Sequence, residues 1–176
     1  MEKTYRAINW NVLDDALDKA VWEKLTEQFW LDTRIPLSND LNDWKKMKEE
    51  EHALVEKVFG GLTLLDTLQS VDGMSALKKD ALTSHEAAVL NNIEFMESVH
   101  AKSYSSIFST LNTPAEIEEI FEWTEENEYL QYKAEKICAI YRGADALMKK
   151  AASVFLESFL FYSGFYAPLY FLGHNR

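Results

Sequence analysis

The chain has 176 residues, 47% of them hydrophobic and only three of them proline, which suits one domain with a sizeable core and excludes a disordered polymer. A formal net charge of −11 argues against a nucleic-acid surface, where a basic patch would be needed. The single cysteine, Cys138, excludes an intrachain disulfide and a Cys-rich zinc site and fits a reducing, cytoplasmic compartment, with packing as the expected role of its thiol.

The start, Met1-Glu2-Lys3-Thr4-Tyr5-Arg6, leads into mixed polar residues with no apolar segment, so no secretory leader is expected. Asp14 or Asp15 can cap a first helix running to about Phe29, and Pro36-Leu37-Ser38-Asn39-Asp40 is a turn that hands over to a helix near Asp43. The next helix, about Lys45 to Ser70, should bury Leu54, Val55, Val58, Phe59, Leu62, Leu65 and Asp66. Gly60-Gly61 within it costs helix stability, which points to a close helix contact or a local irregularity. Val71-Asp72-Gly73-Met74 is expected to turn the chain into a shorter helix around Ser75 to Ala81.

Thr83, with Glu86 three residues on, then caps a long helix from about Ser84 to Leu111, uninterrupted by Pro or Gly until Pro114. Its apolar residues, including Val89, Phe95, Met96, Val99, Ile107 and Phe108, cover more than a narrow stripe, the mark of a helix surrounded by others. Thr113-Pro114-Ala115-Glu116 opens a helix ending near Trp123, another runs from about Glu128 to Tyr141 and is closed by Gly143, and Asp145 opens a last one to about Phe165. Val154 to Leu172 is apolar over a bilayer-spanning length, but Glu157 inside it favours a buried helix over a membrane span. Strand signals and repeats are lacking, so residues 1–176 read as a single all-helical domain.

The chemistry concentrates on the long helix. Glu97, His100 and Tyr104 stand three and four residues apart and so project from one helical face. Two further acids, Asp66 and Glu157, lie in strongly apolar segments without a local basic partner. Carboxylates and imidazole together suit iron or manganese, and di-metal carboxylate bundles draw one carboxylate from each of two helices and a Glu-x-x-His from each of two more. Asp66, Glu157 and the Glu-x-x-His of Glu97 and His100 answer to that pattern, and the second Glu-x-x-His is expected to be missing. Taken singly, each residue has a plainer reading: a surface Glu–His pair, a carboxylate bonding backbone, or one end of a distant ion pair. Glu49-Glu50-Glu51 and Glu118-Glu119 read as solvated faces.

Longer segments carry a resemblance. Gly61-Leu62-Thr63-Leu64-Leu65-Asp66-Thr67, the block from Phe95 through Tyr104 to Leu111, and Phe155-Leu156-Glu157-Ser158-Phe159-Leu160-Phe161-Tyr162-Ser163-Gly164-Phe165 are the most specific. Ala7-Ile8-Asn9-Trp10-Asn11, Phe29-Trp30-Leu31 and Pro36-Leu37-Ser38-Asn39-Asp40 extend the match over essentially the whole chain. The sequence resembles the small, radical-generating beta subunit of class Ib ribonucleotide reductase. That resemblance implies a ferritin-like di-metal carboxylate bundle, with Asp66, Glu97 and His100 as ligands of one metal and Glu157 of the other. It places Tyr104 at the radical-bearing tyrosine, Trp30 at the aromatic relay toward the large subunit, and Ser158 on the route by which oxidant reaches a manganese site.

The implied cofactors are two manganese or two iron ions per complete subunit and a tyrosyl radical, shielded here by Ile107, Phe108, Phe159 and Phe161. The implied partners are a large catalytic reductase subunit, a flavodoxin-like activator and a second copy in a homodimer. Members of the family continue past Arg176 through a helix bearing a second Glu-x-x-His and a flexible tail, and His174 is no substitute because Phe171 stands three residues before it. The expected object is therefore the amino-terminal part of such a subunit, an incomplete bundle inactive by itself. A non-catalytic helical fragment, or another ferritin-like di-metal oxidase, is the alternative.

Overall fold

The computed structural model describes residues 4–174; Met1-Glu2-Lys3, read above for a leader, and Asn175-Arg176 lie outside them. Nine α-helices follow in order among the described residues: α1 Ala16–Glu27, α2 Leu41–Trp44, α3 Glu49–Leu68, α4 Met74–Lys79, α5 Ser84–Leu111, α6 Pro114–Glu126, α7 Glu128–Tyr141, α8 Ala146–Phe155 and α9 Phe161–Gly173. Short 3₁₀ turns at Asp32–Arg34 and Leu37–Asp40 join α1 to α2, and no strand occurs among the described residues.

The helix starts follow their caps. Asp15 accepts from the Leu17 N–H at 2.8 Å, Thr83 from Glu86 at 3.0 Å, Asn127 from Leu130 at 2.9 Å and Asp145 from Met148 at 3.0 Å. At α6 the box is reciprocal, Glu116 accepting from the Thr113 N–H at 2.6 Å. At α5 only half of it forms: the Glu86 carboxylate reaches past Thr83 to the Leu82 N–H and to Lys150, each at 2.7 Å.

The expected turn at Val71–Met74 is not there. The chain runs from α3 into α4 through one wide turn, Gln69–Gly73, in which the Met74 N–H donates to the Gln69 carbonyl five residues back. Gly73 serves packing rather than turning, since a Cβ there would lie 2.4 Å from the Gln69 amide oxygen and 3.0 Å from the Tyr141 ring. The last helical run likewise passes a wide turn, Leu156–Leu160, closed by the Phe161 N–H on the Leu156 carbonyl, and continues to Gly173 rather than ending near Phe165.

The central element is α3. Its Leu62 and Leu65 join Ala76, Ile137, Tyr141, Ala152, Leu156 and Phe161 in the main core, while Val55 joins Trp44 and Phe171 in a second cluster, with Phe59 packed against both. Close approach explains the glycines: a Cβ on Gly60 would lie 3.0 Å from Ile120 and Thr124 of α6, and one on Gly164 of α9 would lie 2.7 Å from Leu62. Leu54 and Phe95, expected on buried faces, are half exposed. Phe159 is 63% exposed and stacks on Phe155 at the surface, so it does not shield Tyr104. No described helix is long and apolar enough to cross a membrane.

Candidate metal centre

Three of these segments meet at one cavity. Asp66 enters from the last turn of α3, and Glu97 and His100 from consecutive turns of α5; one donor atom from each lies within 4.8 Å of the others. Asp66 and Glu97 are buried and His100 partly so, with His100 Nδ1 and Glu97 Oε2 3.2 Å apart. Glu157 enters from the wide turn before α9 and lines the same cavity of about 320 Å³. Its Oε1 accepts from Gln69 Nε2 at 2.8 Å.

The electrostatics are those of an incomplete site. Asp66 is pushed up to about 9, by burial first and then by the charges of Glu97 and Glu157. Glu157 is pushed up to about 7 by burial and by Glu97, against the opposing pull of Gln69 and His100. Four carboxylates, Asp32, Asp66, Glu97 and Glu157, line the cavity with His100; the lining contains no Lys or Arg, and of the four only Asp32 has an ammonium partner, Lys102. Asp66 therefore holds a proton at neutral pH when no cation is near, and a divalent ion among these acids would replace it. Oxygen-rich donors with one imidazole fit manganese or iron.

Tyr104 stands one turn beyond His100, half-buried, with its ring centroid 5.4 Å from that of Phe59. Burial, Asp66 and Glu97 all raise its pKa, so the phenol is neutral. Ile107, Phe161 and Phe165 line the cavity around it, whereas Phe108, expected to shield it, is buried outside that lining with its ring edge-on to Phe121. Trp30 lies on the other side of the imidazole, its ring stacked on His100 at 5.9 Å and 22°. Ser158 does not join them: it is exposed, outside the cavity lining, and donates to the Val154 carbonyl of its own helix at 2.5 Å.

Two side chains escaped the sequence reading. Asp32, buried at the start of a 3₁₀ turn, accepts from Lys102 Nζ and Ser106 Oγ at 2.5 Å each and so fastens the Trp30 segment to α5. The Lys102 ammonium, with Ser106, holds its carboxyl below the usual range. Gln69 is the other, fully buried between Glu157 and α7. Each contact joins residues far apart in sequence, so no local pattern could announce it. Conversely, Glu49 and His52 repeat the Glu-x-x-His spacing without joining any acid cluster among the described residues. Glu49 is exposed, and His52 stacks on Trp44 at 4.1 Å with Nε2 2.6 Å from the Trp44 carbonyl.

A sequence profile described as "Ribonucleotide reductase, small chain" matches residues 7–176. The chain belongs to the ribonucleotide reductase small-chain family. Among curated members, the ribonucleoside-diphosphate reductase subunit beta nrdF1 of Mycobacterium tuberculosis is 59% identical over 170 residues, covering 97% of this chain and 53% of its own length. The ribonucleoside-diphosphate reductase 2 subunit beta of Escherichia coli is 58% identical with the same coverage. The dimanganese(II)-NrdF of Streptococcus sanguinis superposes with a TM-score of 0.96 at 70% identity, covering 98% of this chain and 61% of that one. The chain thus spans about half the length of the curated relatives it matches. The helical ferritin-like architecture of the family is the one seen here.

Proposed function

We propose that this chain forms one folding unit carrying four metal ligands and the tyrosine of the radical-generating centre of a class Ib ribonucleotide reductase small subunit. The observation that carries the reading is the convergence of Asp66, Glu97 and His100 within 4.8 Å, beside Tyr104 and opposite Glu157, in a cavity lined by no cation. Asp66, Glu97 and His100 would hold one metal and Glu157 would contribute to a second, manganese or iron. When bound, the pair supplies the oxidising power that a phenol requires.

The protein's own contribution is placement and exclusion. Tyr104 enters the reaction neutral, so its oxidation must release a proton together with the electron. Ile107 and Phe161, which line the cavity with Tyr104, keep water from the ring's side of it, which lengthens the life of a phenoxyl radical. Trp30, stacked on His100, is the aromatic step from the centre toward a large catalytic subunit that reduces ribonucleotides. Ser158, one residue past Glu157 on the exposed side, belongs to the route of the oxidant delivered by a flavodoxin-like activator. The working assembly is a cytoplasmic homodimer joined to the large subunit.

The test is electron paramagnetic resonance on the full-length small subunit containing these residues, loaded with manganese or iron and oxidised. A tyrosyl signal that disappears in Tyr104→Phe while metal content stays near normal supports the assignment; a signal that persists unchanged in the variant refutes it.

A further inference from the structure

The geometry points to Gln69 as a positioning residue for Glu157, an inference that rests on the metal-centre reading above. The side chain is fully buried and bonded at both ends. Its Nε2 donates to Glu157 Oε1 and to Ser153 Oγ, at 2.8 Å each, and its Oε1 accepts from the Tyr141 hydroxyl at 2.5 Å. The two ends of an amide are chemically opposite, and only the NH₂ end can donate to a carboxylate. The Glu157 carboxylate, which accepts only, therefore fixes which way the amide points: with the N–H groups facing Glu157 and Ser153, Oε1 is left to accept from the Tyr141 hydroxyl, which secures that orientation.

The surrounding backbone is shaped around this contact. Gln69 opens one wide turn and Glu157 lies in the other, and these are the two places among the described residues where the helices depart from regular winding. Gly73 leaves the space that the amide oxygen and the Tyr141 ring occupy, since a Cβ there would stand 2.4 Å from the former. A methionine or leucine at position 69 would fill the volume as well. The sequence instead places there a buried amide whose donors end on a proposed ligand, which is how an outer group orients a metal-binding carboxylate. Gln69 would hold one Glu157 oxygen and leave the other for metal.

The test is Mn²⁺ titration of the 176-residue chain into the millimolar range, with free Mn²⁺ read by its resonance signal, in wild type, Gln69→Met, Tyr141→Phe, Glu157→Gln and Val89→Ala. Val89→Ala creates a comparable core defect away from the network. Gln69→Met should weaken Mn²⁺ binding about tenfold, Tyr141→Phe by less, and Val89→Ala not at all. If Glu157→Gln weakens binding while Gln69→Met and Tyr141→Phe both bind like wild type, the positioning role is overturned and the metal reading stands. If Glu157→Gln itself has no effect, the inference falls together with Glu157 as a ligand, while the Asp66, Glu97 and His100 site stands. Should Gln69→Met fail to fold, Tyr141→Phe decides: binding equal to wild type overturns the inference, and binding weakened beyond Val89→Ala supports it.

Discussion

Replacing Asp66 with asparagine should stabilise the metal-free chain at alkaline pH and leave it nearly unchanged in acid. The folded protein holds a proton on Asp66 up to about 9, whereas the unfolded chain releases it near 3.8. Between those values the native state binds more protons than the unfolded one, so stability is fully present below about 4 and is lost as pH rises toward 9. Each pH unit of that window corresponds to at most about 1.4 kcal/mol. Relaxation around the cluster, and its sharing of charge with Glu97 and Glu157, leave a smaller net cost, about 3 kcal/mol at pH 8. The asparagine amide mimics the protonated acid without taking up a proton. For a chain of this size the gain corresponds to a rise in Tm of roughly 6–12 °C at pH 8, measured by circular dichroism with chelator present. At pH 4.5 the two proteins should melt within a few degrees of each other. A wild-type Tm that is flat from pH 5 to 8, or an Asp66→Asn protein no more stable at pH 8, would refute the argument that these acids are buried without a cation.

Two further outcomes follow from the packing and the donor set. Gly164→Ala places a methyl 2.7 Å from Leu62 and should destabilise by about 1–3 kcal/mol, whereas Gly61→Ala, whose nearest neighbours stand 3.8 Å away, should be neutral or gain up to about 1 kcal/mol; urea titrations of both variants check the contrast. After dialysis, the 176-residue chain should retain fewer than two metal ions and make no lasting radical, since it contributes only Asp66, Glu97, His100 and Glu157; two tightly held ions on metal analysis would contradict this.

The sequence made the helices legible wherever a cap marks their start: Asp15, Thr83, Thr113 and Asp145 each sit where the side chain bonds an early N–H. The Glu97–His100–Tyr104 spacing placed three groups on one face of α5 because that face is set by helical geometry alone. The wide turns were not legible, since one extra residue in a helical turn leaves almost no trace in a periodicity. Gly73 was misread for the same reason: its small size answers to Tyr141, which belongs to a different helix far along the chain. Phe159 and Leu54 show the limit of apolar patterning, which says that a face is hydrophobic and not which neighbour covers it. Asp32 and Gln69 are polar residues whose partners come from other helices, and only the folded arrangement pairs them with Lys102, Ser106, Tyr141 and Glu157.

The most direct measurement is anomalous diffraction at the manganese edge from crystals of this chain soaked in millimolar Mn²⁺. The account predicts a peak among the Asp66, Glu97 and His100 donors, with the His100–Glu97 contact opened to admit the ion. A peak only elsewhere, or none while that contact stays closed, would contradict it.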